Sequence, residues 1–226
     1  SNLTTPHPLA KLFIETAHSI GMKKNTDYNS GDQEGSFLYQ TMIKNSMRWS
    51  ASDAYLKPIL SKANFKLLIK TYLHKIIFNN KKIESVIIKQ GLNFKKIFIN
   101  KELILCAGAI NSPQILQNNG IGNQLKLKEL GVECVQNIPE VGQNLKDHYA
   151  IRIAMRTKNV STFNTESRGL SLLKEIFNYY FFKKGLLTNP VSTAGVFAKT
   201  KEELSSPDIQ MLFAPASFEN ENAGTS

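Results

Sequence analysis

Residues Glu102 to Gly122, reading ELILCAGAINSPQILQNNGIG, carry the residue types and spacing best suited to holding a ligand. A β-type run, Leu103-Ile104-Leu105, stops in the small residues Cys106-Ala107-Gly108-Ala109. Asn111-Ser112-Pro113 then opens a helix, predicted over Pro113–Asn118 with Ser112 as N-cap and Pro113 at the first helical position. It closes in the glycine-spaced turn Asn119-Gly120-Ile121-Gly122. In α/β proteins this order brings bare backbone N–H groups up to a phosphate or a flat ring, because minimal side chains leave the approach open. The chemistry is binding rather than bond cleavage.

The nucleophiles and imidazoles offer less. His7 and His18, on the first helix or its lead-in, are expected at the surface, and His74 on a strand facing solvent. His148 beside Asp147 could form an imidazole–carboxylate pair, but reads as structural. Cys106 and Cys134 are the only cysteines, form no CxxC or Cys/His cluster, and read as small buried residues in a reducing compartment, with no metal site. No Gly-x-Ser-x-Gly elbow supports a hydrolase.

The elements that must position the Ala107–Gly108 turn emerge from periodicity. Pro8 to Ile20 repeats apolar residues at helical spacing and ends at Gly21. Asn25 to Gly35 is turn-rich, Ser36 to Ile43 reads as a strand, and Ser50 with Asp53 resembles a capping box before a short helix. Trp49 is expected in the core. From Asn64 the pattern turns to β: Leu67–Ile69, Ile76–Phe78 ending at Asn79-Asn80, Ile83–Ile88, Phe94–Ile99 and Leu103–Leu105. This predicts a three-strand meander feeding the last strand of a nucleotide-binding sheet. A helix over Gln124–Leu130, a loop over Pro139–Asp147, a strand at Ile151–Met155, a long helix at Leu170–Phe182 and strands at Gly195–Ala198 and Ile209–Phe213 complete the pattern.

With 42% hydrophobic residues the chain can build a core, and no apolar run approaches the ~20 residues a membrane helix needs. The formal charge of +10 raises the question of nucleic acid. The lysines, however, come in dispersed pairs such as Lys23-Lys24, Lys81-Lys82, Lys95-Lys96 and Lys183-Lys184, without a basic stripe. They read as solvated, and no nucleic-acid partner is expected.

Taken in order, these segments resemble the glucose–methanol–choline (GMC) oxidoreductases, flavoenzymes that oxidise alcohols with FAD. The family's second signature, Gly-Ala-x-x-Ser-Pro continuing to Ser-Gly-x-Gly, stands here as Gly108-Ala109-Ile110-Asn111-Ser112-Pro113 and Asn119-Gly120-Ile121-Gly122. Asn119 replaces the usual Ser, and Asn123 stands where a Pro is often found. Flanking matches are Asp27-Tyr28-Asn29, Gln33-Glu34-Gly35, Arg48-Trp49-Ser50, Ala54-Tyr55-Leu56, Pro139-Glu140-Val141-Gly142-Gln143-Asn144-Leu145 and Asp147-His148. The pattern is closest to the choline dehydrogenase-like branch and runs from about Pro6 to Phe213.

The resemblance implies a mixed α/β (α+β) fold: part of an FAD/NAD(P)-binding Rossmann-like domain interleaved with a sheet-containing substrate-binding domain. The expected divisions are a junction segment at 1–60, an FAD-binding part at 61–148 and a truncated substrate-binding part at 149–226. It implies FAD as cofactor, with Leu73, at the place of a Val whose backbone meets the adenine, and Ala107 and Gly108 as contacts. Substrate would be a small alcohol, the electron acceptor undetermined, the location cytoplasmic with peripheral membrane association left open. The GxGxxG fingerprint that opens the family and the late His that serves as its base are absent from this sequence. The chain is therefore expected to be a central fragment, inactive alone, with no catalytic residue of its own. The alternative is a non-catalytic nucleotide- or partner-binding remnant of the same fold. Many relatives carry Glu where Thr193 stands, which weakens a cationic substrate here, with Glu219 and Glu221 as other candidate carboxylates.

Overall fold

The computed structural model describes residue 3 and residues 5–217; Glu219 and Glu221 lie outside them. The chain divides into two compact units, one from the segments up to residue 61 and from residue 152 onward, the other from residues 62–151.

The first unit begins with α1 (Pro8–Ser19), which buries Leu9, Ala10 and Ala17 on one face. His7 corrects the surface expectation: it is the N-cap and only 5% exposed. Its Nδ1 accepts from Leu9 N–H at 3.2 Å, and its ring meets Phe163 edge-on at 5.1 Å. A ring nitrogen that satisfies a first-turn N–H lets the residue accompany the apolar helix face inward. Strand β1 (Gly35–Leu38) is shorter than predicted and precedes a small hairpin of β2 (Ile43–Lys44) and β3 (Met47–Arg48). Trp49, half-buried rather than core, lies under Lys44 Nζ at 4.7 Å. Ser50 and Asp53 do cap each other: Ser50 N–H donates to Asp53 Oδ2 at 3.1 Å, and Asp53 N–H to Ser50 Oγ at 3.3 Å. They open a π turn at Ser52–Leu56 and a 3₁₀ turn at Lys57–Ile59 rather than an α-helix.

The second unit is the predicted meander and then a helix pair. Strands β4 (Thr71–Asn79), β5 (Lys82–Gln90) and β6 (Asn93–Phe98) run antiparallel in that order. Asn80 and Lys81 both take positive φ, 47° and 63°, the twist that a two-residue hairpin turn requires. The β4–β5 register slips twice: Leu73 faces Ile88 and Lys75 faces Ile87, passing over His74; Ile77 faces Ser85 and Phe78 faces Ile83, passing over Glu84. Ile76, Ser85 and Val86 are buried in this sheet. Then come α2 (Gly108–Asn118), β7 (Ile121–Gly122), α3 (Gln124–Glu129) and β8 (Gln136–Asn137), with β7 and β8 parallel. Leu127 of α3, 2% exposed, centres this group. Asn123 caps α3, its Oδ1 accepting from Leu125 and Lys126 N–H.

The chain then adds to the first unit α4 (Phe163–Glu166), α5 (Gly169–Phe177) with a π turn at Asn178–Phe182, β9 (Ala194–Ala198) and β10 (Ile209–Phe213). Strand β9 lies between β1 and β10, antiparallel to both. Phe37, 2% exposed, packs among Tyr28, Tyr39 and Phe197 with ring centroids 4.2, 5.1 and 5.0 Å away. Phe13 of α1 stacks on Phe213 of β10 at 4.6 Å. Burying one such Phe contributes roughly 1.5–3 kcal/mol, so these rings define the core of the unit.

Three predicted strands are corrected. Leu67–Ile69, Leu103–Leu105 and Ile151–Met155 join no ladder among the described residues. Alternating apolar residues make a segment fit for a sheet, but only a neighbouring strand supplies the bonds that make it one. Cys106 is exposed and Cys134 half-buried, so neither is the buried residue expected. Cys106 sits at the end of the unpaired run, where nothing among the described residues covers it.

Candidate cofactor-binding site

Helix α2 starts at Gly108, five residues before the predicted Pro113 start, with Ala107 as N-cap. Pro113 lies inside the helix. Its missing N–H leaves the Ala109 carbonyl without its usual helical donor. Ser112 is therefore not the N-cap. Its Oγ instead accepts from the Ala107 N–H at 3.1 Å, folding the approaching chain back against the first turns.

This arrangement leaves the first turn bare. Ala107 has no side chain able to cap, and the N–H groups of Gly108, Ala109 and Ile110 have no intrahelical acceptor. Ala107, Gly108, Ala109 and Ile110 are all exposed. Gly108 takes φ +87°, and a Cβ built there would meet no atom within 4 Å. A side chain is thus excluded by backbone conformation, not by crowding within the chain. The helix spans 11 residues, long enough for its partial positive end to favour an anion. An anionic or flat group can approach to van der Waals distance, and in this respect the residues fit a flavin dinucleotide.

Leu73 lies half-buried on β4, opposite Ile88, one residue before the first register slip. It belongs to the same unit as Ala107 and Gly108. His74, the extra residue of the slip, is exposed and meets Phe94 at 4.9 Å.

The far end of α2 is tied down. Gln117 Nε2 donates to the Val141 carbonyl at 3.0 Å, gripping the Pro139–Asp147 loop where Gly142 makes room for it. Gly120 is buried with φ +83°, and a Cβ there would overlap the Glu133 carbonyl oxygen. Asn119, read in the sequence only as a turn residue, binds Ile76 of β4 through its side chain. Spacing along the chain holds no signal for that contact; the polar residue next to a glycine turn is the only hint.

The titratable groups are distributed elsewhere. His148 is exposed, and its bond with Asp147 runs from the backbone N–H to Oδ1 at 2.7 Å rather than through the ring. Asp53 in the first unit is lowered to about 2, by its hydrogen bond with Lys57 first and those with Ser50 next. Tyr39 is raised by burial. Thr193, just before β9, is fully buried with its Oγ1 unpartnered, while its backbone joins Tyr39 N–H and the Phe213 carbonyl, each at 3.1 Å. Among the described residues, no group of three or more His, Cys, Asp or Glu could hold a metal.

Comparison with known proteins bears on the whole chain. The family model described as GMC oxidoreductase matches residues 1–150. An oxygen-dependent choline dehydrogenase of Brucella anthropi is 36% identical over 212 residues, covering 94% of this chain and 38% of that protein. An alcohol dehydrogenase [acceptor] of Pseudomonas putida is 34% identical over 221 residues, covering 95% of this chain and 40% of its own length. Among solved structures, an FAD-dependent oxidoreductase from Chaetomium thermophilum superposes with TM-score 0.77 at 25% identity, covering 87% of this chain and 35% of that one. The chain thus spans about two fifths of the length of the curated relatives it matches. A signature-bearing α2 with an open first turn, a family match across residues 1–150 and the shared fold lead to one assignment: the chain belongs to the GMC oxidoreductase family.

Proposed function

We propose that this chain forms part of the FAD side and the first part of the substrate side of a flavoenzyme that oxidises an alcohol to an aldehyde or ketone. The observation that carries the reading is the bare first turn of α2, lying within the signature of the matched family segment. FAD, when bound, supplies the hydride acceptor at flavin N5. The chain's own contribution is to bind and orient it: Ala107 and Gly108 offer backbone without obstruction, and Leu73 offers the backbone of β4 toward the adenine. In this reading the segments 61–148 and 149–226 belong to the FAD and substrate sides, joined by 1–60. No side chain here is assigned as the base. His148 keeps a structural role in this reading, through its backbone bond to Asp147.

The substrate in this reading is a small alcohol. Thr193, buried and uncharged, offers no carboxylate to a cationic alcohol at that position. No described helix is long and apolar enough to cross a membrane, and a cytoplasmic enzyme is part of the same reading.

The test is expression of the full-length protein beside the 226-residue chain. The full-length protein is expected to purify yellow and to lose its visible flavin absorbance anaerobically on addition of an alcohol, with choline and an uncharged primary alcohol assayed in parallel. The chain alone is expected to oxidise neither and to retain FAD weakly or not at all. A full-length protein without flavin, or a chain that is active alone, overturns the proposal. Reoxidation by air or by a dye identifies the acceptor.

A further inference from the structure

We infer that Asn119 is a positioning residue, whose carboxamide holds strand β4 to the end of α2 and so sets where Leu73 stands relative to the Ala107–Gly108 turn. The inference rests on the reading of those residues as dinucleotide contacts. It starts from an edge. Among the described residues strand β4 has a neighbour on one side only, so half of its backbone N–H groups face away from the sheet. One of them belongs to Ile76, a residue only 3% exposed. A backbone donor in such surroundings requires an acceptor.

Asn119 Oδ1 supplies it, accepting from Ile76 N–H at 2.7 Å across 43 residues of sequence. The other half of the amide faces the helix: Nδ2 donates to the Ile115 carbonyl at 2.8 Å. Ile115 is in the last turn, where carbonyls lack intrahelical donors, and the Asn119 backbone N–H is engaged elsewhere, with the Leu116 carbonyl at 3.1 Å. Both ends of the carboxamide are therefore committed, which fixes its flip and its reach. Because α2 has no fully buried residue and Pro113, Ile115 and Leu116 are only half-buried, this bridge matters more than it would in a core helix. Gln117 ties the same helix to the Val141 loop and leaves β4 to Asn119. Leu73 is three positions before Ile76 on the strand thus held; Ala107 and Gly108 lie at the opposite end of the helix.

The experiment separates the contact from its consequence. In the 226-residue chain, residue-resolved amide exchange compares the unsubstituted protein with N119L, which keeps the branched shape and loses both bonds, and N119D, which keeps only the acceptor. Loss of one net hydrogen bond corresponds to about tenfold. Ile76 is expected to exchange at least about tenfold faster in N119L, to stay within about threefold in N119D, and the β5–β6 ladder amides to stay unchanged in both. Circular dichroism checks folding; if N119L does not fold, N119A, which also lacks both bonds, takes its place with the same expectation. In the full-length holoenzyme, FAD affinity is expected to fall about tenfold in N119L and much less in N119D, with altered circular dichroism of the bound flavin. Unchanged exchange at Ile76 in N119L overturns the contact. Faster exchange with unchanged FAD affinity overturns the positioning role. An unsubstituted full-length protein without flavin overturns the functional reading and the positioning role with it, while the exchange result still decides the contact.

Discussion

The two ends of α2 carry glycines of nearly the same backbone conformation, Gly108 at φ +87° and Gly120 at φ +83°, just past the last turn, yet in opposite surroundings. Around Gly120 the space is full: the Glu133 carbonyl and Val135 close on the place a side chain would occupy. At Gly108 the place of a side chain is open, and a Cβ there would meet no other part of the described chain within 4 Å. Gln117 and Asn119 add polar ties at the full end, whereas the open end has only the Ser112 hydroxyl bond to Ala107. One glycine satisfies the chain itself. The other meets no neighbour at the place of a side chain, as is also true of Gly21, Gly31, Gly91, Gly131 and Gly169, so its place at the N-terminus of the signature helix is what sets it apart. A helix anchored at its C-terminus and bare at its N-terminus presents that bare end in a fixed direction.

The strongest way to break this contrast is to fill both ends. Gly120→Ala is expected to destabilise the chain by about 3–4 kcal/mol, since a strained φ and an overlap with backbone add together, as read by urea denaturation. Gly108→Ala should cost only about 1–2 kcal/mol, the conformational strain alone, while full-length enzyme bearing it should retain FAD poorly. Equal losses at the two positions would mean that the first turn is not open. Ser112→Ala removes the Ala107 bond and should cost about 0.5–1 kcal/mol, exposed as that bond is, with faster exchange confined to Ala107.

Acid gives the smallest effect and a sharper control. Asp53, lowered to about 2 by Lys57 and then by Ser50, stabilises the folded chain above its unfolded pKa of about 4. That contribution is lost as pH falls through about 2, so the turn at Ser50–Lys57 should loosen between these values. Asp53→Asn should flatten the response. The ties of Gln117 and Asn119 are amides with no proton to gain, so exchange at Ile76 should vary with pH only through its intrinsic rate.

Much of this architecture is legible in the residues. Helix α1, the meander, β9 and β10 emerge from local periodicity and turn chemistry, and the Asn80 turn from a residue tolerant of positive φ. Leu103–Leu105 and Ile151–Met155 are not, because a strand is a property of a pair of segments and periodicity describes only one. The start of α2 differs from expectation because Ser-Pro is a strong N-terminal signal, here outweighed by the freedom of Gly108 to turn the chain earlier. Polarity alone places His7 at the surface, whereas its ring serves as a cap. The turn at Ala107–Gly108 can be found from small residues alone, whereas the Asn119–Ile76 bridge depends on contact between segments far apart in sequence.

The paired slips in the β4–β5 hairpin have a consequence for how its length can change. His74 is surplus on one strand and Glu84 on the other, so the two offsets cancel and Thr71 still meets Gln90 while Asn79 meets Lys82. Side chains alternate with a period of two, so one surplus residue reverses the parity of every later position and the second restores it. Deleting either residue alone would leave one arm a step out of phase with the other. Deleting both would leave two regular strands of equal length. Insertions and deletions in this hairpin are therefore expected to survive in matched pairs, one on each strand.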